Sequence, residues 1–305
     1  MQFCLLGTTG RDRASASARF AFGLRGIGEL TPEREYPLTQ EEIEEINPQS
    51  RTIPCCGSRS ELQSLLEAHR RAPILRPVNA ESPWRLKLWS PFHMTSHSHL
   101  FWDKQRLLEE GATEKGDCWV LGRRRYLPLL EGKCIHLWTH RHAPPRYWVE
   151  EDVAERKLSS KTEAPFLLAY RWIARKTDTR TLIASVCPRW AAGNSLGLME
   201  VMGGDPTWTL VFQAILSSRP VDDVLRWKHA GANITFGTLS QLPVPSPAQV
   251  SALKGLGTSP SLWMAKRAWT LLGAPAWFPY RSPPVPGTRE EIAAELEEQI
   301  RRLYA

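Results

Sequence analysis

The chain has 305 residues, 42% hydrophobic and 23% charged, which is ordinary for a globular protein and excludes wholesale disorder. Its formal charge of +7 suits a polyanionic partner without demanding one. No apolar run reaches the ~18 residues of a membrane span, and six cysteines without a CxxC pair exclude a disulfide scaffold.

In chain order, residues 3–6 and 20–24 are apolar runs separated by a polar Arg/Ser/Ala stretch and predict a hairpin-like pair of strands. Thr39 and Glu42 form a capping-box pattern that opens a short helix, which Asn47-Pro48 ends. Residues 59–71 place Leu62, Leu65, Leu66 and His69 on one helical stripe, stopped by Pro73. A strand is predicted at 84–88 and a charged helix at 103–110. Further strands are predicted at 119–121, 126–130, 134–138, 167–172 and 182–186, and helices at 207–217 and 221–227. Pro-rich punctuation follows at 242–247 and 274–286. A second capping box, Thr288 with Glu291, opens a final helix striped by Ile292, Leu296, Ile300 and Leu303. Both chain ends read as cuts through structure, and a short, non-basic start with reduced cysteines points to the cytoplasm.

The charge is concentrated. Residues 121–180 carry 13 Lys/Arg against 7 Asp/Glu, a net of +6. No GxxxxGKS/T loop occurs, and Gly23, Gly26 and Gly28 stand in the wrong order for a dinucleotide turn. His93, His97 and His99 and then His136, His140 and His142 repeat an HxxxHxH spacing. Both fall in strand or loop, where i and i+4 lie ~13 Å apart, too far for one metal. Asp117, Glu131 and Lys133 form D-x13-E-x-K, the pattern with which Mg-dependent nucleases hold a metal and steady the attacked phosphate. A turn at Glu131-Gly132-Lys133 between two strands explains the same residues. No Gly-x-Ser-x-Gly elbow is present.

Five stretches in unbroken order carry a resemblance. They are 20–22 with the 38–47 helix and Asn47-Pro48-Gln49-Ser50-Arg51-Thr52; Ser96-His97-Ser98-His99-Leu100-Phe101; Tyr126 to His136 continued by His140-Arg141 and Arg146-Tyr147-Trp148-Val149; Ala169 to Arg175 with Arg180-Thr181-Leu182-Ile183-Ala184; and Trp227 to Phe236 ending in Gln241-Leu242-Pro243-Val244. Together they resemble the C-terminal half of fused type II restriction–modification enzymes and of related adenine-specific DNA methyltransferases of phage defence. The chain departs from that pattern at Thr139, where the family has Asp, at Asp178, where it has Asn, and at Ala230 and Ala232, where it favours Gly.

The resemblance implies an α+β chain in three parts. These are the tail of a methyltransferase domain with a connector (1–115), a target-recognition domain (116–247) and a Pro-rich segment with a C-terminal helix (248–305). It implies double-stranded DNA as partner, together with a catalytic methyltransferase domain or subunit that holds S-adenosylmethionine. The chain itself carries neither the Asn/Asp/Ser-Pro-Pro-Tyr/Phe loop that grips a flipped adenine nor a Gly-rich cofactor turn, so no catalysis or cofactor is expected of it alone. The expected DNA contacts are Arg123, Arg124, Arg125, Lys133, His136, His140, Arg141, Arg171, Arg175, Arg180, Arg189, Asn194, Lys228 and Asn233. Arg123, Arg124 and Arg125, and Arg189 and Asn194 in a predicted 188–204 loop, are expected to read bases, while Lys133, Arg141, Arg171, Arg175 and Lys228 are expected to serve phosphate contact or structure. The alternatives are the Mg-dependent nuclease and a non-functional remnant or partner-binding subunit.

Overall fold

The computed structural model describes residues 6–7, 10, 13, 15–90, 92–175, 178–229, 231–257 and 259–305. Of the run predicted as a strand at 3–6, only Leu6 lies among them, outside any element. The first strand, β1 (Ser17–Phe20), instead pairs antiparallel with β2 (Tyr36–Thr39). It stops where 20–24 was expected to begin. Thr39 then caps α1 (Gln40–Ile46) with the full reciprocal box to Glu42, as its spacing predicts. Ser58 caps α2 (Arg59–Arg71), whose Leu62, Leu65 and Leu66 are buried.

An α+β architecture follows. Four antiparallel strands form one sheet in the order β10 (Ala184–Pro188), β9 (Phe166–Arg171), β12 (Leu196–Glu200), β3 (Lys87–Trp89). A second antiparallel sheet runs β4 (Trp102–Asp103), β8 (Tyr147–Glu150), β7 (Arg124–Leu130), β6 (Cys118–Leu121), β5 (Thr113–Lys115). The short β11 (Ala191–Ala192) lies parallel to the end of β7, pairing Ala191 with Leu129 and Ala192 with Leu130. The Gly193 N–H donates to the Leu130 carbonyl at 2.8 Å and the Phe92 N–H to the Ala192 carbonyl at 3.0 Å, so this corner stitches the two sheets together. α3 (Lys104–Glu109) follows β4, and α4 (Glu151–Ser159) crosses from β8 toward β9.

The sequence 166–171, Phe-Leu-Leu-Ala-Tyr-Arg, is a near-continuous apolar run, and β9 is accordingly buried on both faces. Phe166, Leu168 and Tyr170 join Ala184, Val186, Met199 and Val201 under a helical layer. Leu167 and Ala169 face the other way, onto Leu130, Cys134, Ile135, Leu196 and Leu198. The helical layer holds α5 (Pro206–Leu216), α6 (Arg219–Lys228), α7 (Phe236–Ser240), α8 (Pro247–Ser251), α9 (Pro260–Leu271) and α10 (Arg289–Tyr304). Its cluster draws Tyr36, Leu65 and Trp84 from the first predicted part, Tyr170 and Phe212 from the second, and Met264 and Ile300 from the third. Each such fully buried large side chain contributes about 1.5–3 kcal/mol.

Two expectations change. The 134–138 strand is a 3-10 turn at Gly132–Cys134 followed by a tight turn closed between His136 and Thr139. The Gly132-Lys133 turn breaks the extended run. The predicted 188–204 loop contains β11 and β12, buried throughout. Its Gly197 sits opposite Tyr170, and a Cβ there would collide with the phenol ring, so glycine is required by close approach.

Lys228 fixes the helical layer. It is buried, and its ammonium donates to the carbonyls of Ile46 and Gln241, both at 2.5 Å, and contacts His69 Nε2 at 3.0 Å. Burial pushes the lysine pKa well below its usual value. Burial first, and then the Lys228 charge, drives His69 down to about 2. Asp222 does similar work at the other end of α6. Its Oδ1 accepts the N–H groups of Thr181 at 2.8 Å and Leu182 at 2.7 Å, joining the helix to the strand that follows. Among the described residues, no helix is long and apolar enough to cross a membrane.

Three outcomes follow. Lys228→Ala orphans two buried carbonyls and is expected to cost on the order of 3 kcal/mol in chemical denaturation; an unchanged midpoint would contradict the buried role. Gly197→Ala is expected to cost about 1–3 kcal/mol by overpacking Tyr170. Lastly, burial depresses His69, His136, His229 and His140, the last to about 4. Their unfolded forms bind protons below about pH 6.5 while the folded forms do not. Stability therefore falls as pH drops below that value, and His69→Gln should shallow the slope of thermal midpoint against pH.

Candidate functional site

Exposed cations stand at both ends of β7. At its start, Gly122 takes a φ of +60° as the first residue of a two-residue turn between Leu121 and Arg124, a conformation that glycine enters freely. Arg123 stands at the tip. Arg124 and Arg125 are consecutive on a strand and so point to opposite faces. Arg124 lies 4.0 Å from Glu150, and Arg125 pairs with Glu151 at 2.8 Å. All three arginines are exposed.

At the other end of β7 the chain enters a loop over residues 131–146, held by the two sheets beneath it. The Gly132 N–H donates to Ser195 Oγ at 2.9 Å, and Arg171 clamps the Ile135 carbonyl through Nε at 3.0 Å and a terminal nitrogen at 2.6 Å. Trp138 takes a φ of 64° inside the His136–Thr139 turn. Thr139 Oγ1 accepts the Arg141 N–H at 3.1 Å. His136 packs against His142 with ring centroids 4.7 Å apart. His140 lies edge-on between Trp190 at 5.4 Å and Trp277 at 5.3 Å, which brings the Pro-rich segment onto this loop. Burial pushes its imidazole down to about 4, so it is neutral at physiological pH.

Three cations line the loop's outer surface, each with a carboxylate. Arg141 donates to Asp117 at 2.5 Å, Arg146 donates to Glu131 at 3.0 Å, and Lys133 lies 3.7 Å from Glu131. The side chains of Arg141, Arg146 and Lys133 are 65%, 54% and 52% exposed. The loop therefore unites Lys133, His136, His140 and Arg141, with Arg171 underneath. Arg146 joins them without having been singled out in the sequence. Its following aromatic, Tyr147, supports the guanidinium at 4.6 Å. Only the fold shows that it returns to Glu131.

The nuclease trio is not assembled as a metal site. Asp117 is taken by Arg141, and Glu131 by Arg146 and Lys133. Among the described residues, no three His, Cys, Asp or Glu side chains come together in a way that could hold a metal ion.

The remaining expected contacts divide by burial. Arg180 is 10% exposed, donates to the Ser217 and Ser218 carbonyls that end α5, and lies beside Asp222. Arg189 is 15% exposed. It grips Glu155 at 2.9 Å and donates to the carbonyls of Ala164 at 2.6 Å and Thr162 at 3.0 Å. With Arg171 and Lys228, these side chains are committed to the fold: their polar groups answer buried carbonyls, which a solvated cation would leave unsatisfied. Asn194 is exposed at the turn between β11 and β12, and its Oδ1 accepts the Met94 N–H at 3.4 Å. Arg175 is exposed, and its N–H donates to Asp178 Oδ2 at 2.9 Å. Asn233 is exposed and bridges Ile173.

Compared with protein-family models and with curated proteins, the chain finds no match.

Proposed function

We propose that the chain is the DNA-recognition part of an adenine-specific methyltransferase of a restriction–modification or phage-defence system. It works in the cytoplasm beside a catalytic domain or subunit that carries S-adenosylmethionine. The resemblance of the five ordered segments supports this reading. The observation that carries the binding reading is the pair of exposed basic groups at the ends of β7. Arg123, Arg124 and Arg125 stand at one end, and Lys133, Arg141 and Arg146 at the other. Seven residues of strand separate them by about 23 Å, roughly seven base-pair steps along a duplex.

Three of these six cations, Arg124, Arg125 and Arg141, rest on carboxylates that are themselves partly exposed, whereas Lys133 and Arg146 share Glu131, which is only 13% exposed. Exposed ion pairs are worth about 0.2–1 kcal/mol, so exchanging a carboxylate for a phosphate costs little. Phosphate contacts position a duplex but carry no sequence. Base reading falls instead to exposed side chains able to make paired hydrogen bonds, for which Arg123 at the hairpin tip and Asn194 at the β11–β12 turn are the candidates. Arg189, pinned by Glu155 and two carbonyls, belongs to the scaffold that presents that turn.

Salt-dependent duplex binding tests this reading. With about six phosphates contacted, log K should fall with log salt at a slope of roughly −5. Arg123→Ala with Arg124→Ala should flatten that slope by roughly 1–2. Asn194→Ala should weaken the preferred sequence alone, by about 1–3 kcal/mol. A slope near zero, or no binding at low salt, would refute the reading, as would methyl transfer from S-adenosylmethionine by the isolated chain.

A further inference from the structure

Away from β7, a cleft of about 510 Å³ opens between the segment after α2 and the turn before α5. Arg76, Arg85 and Lys87 line it together with Ser82, Glu81 and the backbone of Gly203. That volume lies within the range of small-ligand sites. Its walls are held from behind. The N–H of Leu75 donates to the Leu242 carbonyl at 2.8 Å and that of Arg76 to the Ser240 carbonyl at 2.9 Å. Trp84 is wholly buried and donates its indole N–H to the Pro245 carbonyl at 3.0 Å, while its own carbonyl accepts the Met202 N–H at 2.9 Å.

Two features of this cleft bear on what it could hold. First, Lys87 is paired, at 2.8 Å, with Glu200, whereas the exposed Arg76 and Arg85 side chains have no ion pair or hydrogen bond among the described residues. Elsewhere on this surface, Arg19, Arg34, Arg51, Arg70, Arg124, Arg125, Arg141 and Arg146 meet a carboxylate, while Arg25, Arg59, Arg123, Arg156 and Arg289 are exposed without an ion pair among the described residues, as Arg76 and Arg85 are. Second, the backbone is strained on both sides of the cleft. Arg85 takes a φ of 48°, where glycine or asparagine would be cheaper, and Met202, Gly203 and Gly204 follow one another at 51°, 69° and 80°. Nothing lies within 4 Å of where a Cβ on Gly203 would stand, so bare backbone faces open space.

We propose that this cleft binds a phosphate-bearing ligand, with Arg76 and Arg85 as its two guanidinium donors and Lys87 as a third cation. Guanidinium forks match phosphate geometry through paired hydrogen bonds, and a rigid wall keeps the cost of ordering them low. Glu81, the one lining carboxylate, favours ligands that keep to the arginine side. The phosphate belongs either to a free nucleotide or to a nucleic-acid strand. The inference is independent of the basic groups at β7.

Calorimetric titration of the full chain with inorganic pyrophosphate at low ionic strength tests it. Arg76→Gln and Arg85→Gly are suitable variants, because both side chains are exposed and glycine accepts the φ at 85 without strain. The double variant is expected to keep its thermal midpoint and lose affinity by about tenfold or more. Arg123→Ala with Arg124→Ala should leave pyrophosphate binding unchanged. Displacement of pyrophosphate by a short duplex assigns the site to a strand's phosphates. Displacement by AMP but not by duplex assigns it to a free nucleotide. Absence of saturable pyrophosphate binding, or equal binding by the double variant, overturns the proposal. Pyrophosphate binding without any duplex binding leaves the cleft standing and sinks the DNA-recognition reading instead.

Discussion

The ammonium of Lys228 meets the carbonyls of Ile46 and Gln241 and the imidazole of His69 inside the helical layer. These groups come from the ends of α1 and α7, the last turns of α2 and the last turn of α6. The Lys228 amine donates to two buried carbonyls and lies 3.0 Å from His69 Nε2. No carboxylate is among them, so the charge is answered by dipoles alone and the geometry must be kept. The segments it joins support the rest. Gln241 Oε1 accepts the N–H of Ser50, and Cys55 donates its N–H to the Trp227 carbonyl, so the entry segment is tied to α6 along its length.

From that layer outward, order passes through the four-stranded sheet. Both faces of β9 are buried, and the edge strand β10 has its Val186 N–H satisfied at 3.0 Å by Gln213 of α5. The sheet's far side packs under the 131–146 loop, which Arg171 and Ser195 hold by its backbone. A loop rich in histidine and arginine thus rests on a rigid support rather than on solvent. That is the condition for placing cations to within the tolerance that recognition needs.

The surface has a consistent electrostatic pattern. At β7 and its loop, Arg124, Arg125, Lys133, Arg141 and Arg146 meet nearby carboxylates and Arg123 does not, while the cleft beside Trp84 holds two guanidinium groups without such partners next to Lys87, which pairs with Glu200. The first arrangement favours exchange with an extended polyanion and strong dependence on salt. The second favours a compact anion held at one place. Either surface can fail its experiment without touching the other.

Local chemistry determined much of this by itself. The capping boxes at Thr39–Glu42 and Thr288–Glu291 form as written, because every partner lies within one helical turn. The continuous apolar run of β9 and the striped faces of α2 and α10 were legible for the same reason. Helices α4 and α9 begin without a side-chain cap hydrogen bond and were not predicted, although Pro260 in the first turn of α9 and the acidic pair Glu151 and Asp152 in that of α4 are local start signals. Strand β12 was hidden in a Gly-containing stretch whose requirement for Gly197 comes from Tyr170 across the sheet. Only the tertiary structure decided which cations face solvent. Arg123 and Arg189 are alike in a sequence. One stands at a hairpin tip, and the other turns inward to carbonyls contributed from 25 and 27 residues away. A basic side chain carries its charge anywhere, but whether it meets water, a carboxylate or a buried carbonyl depends on what distant segments bring beside it.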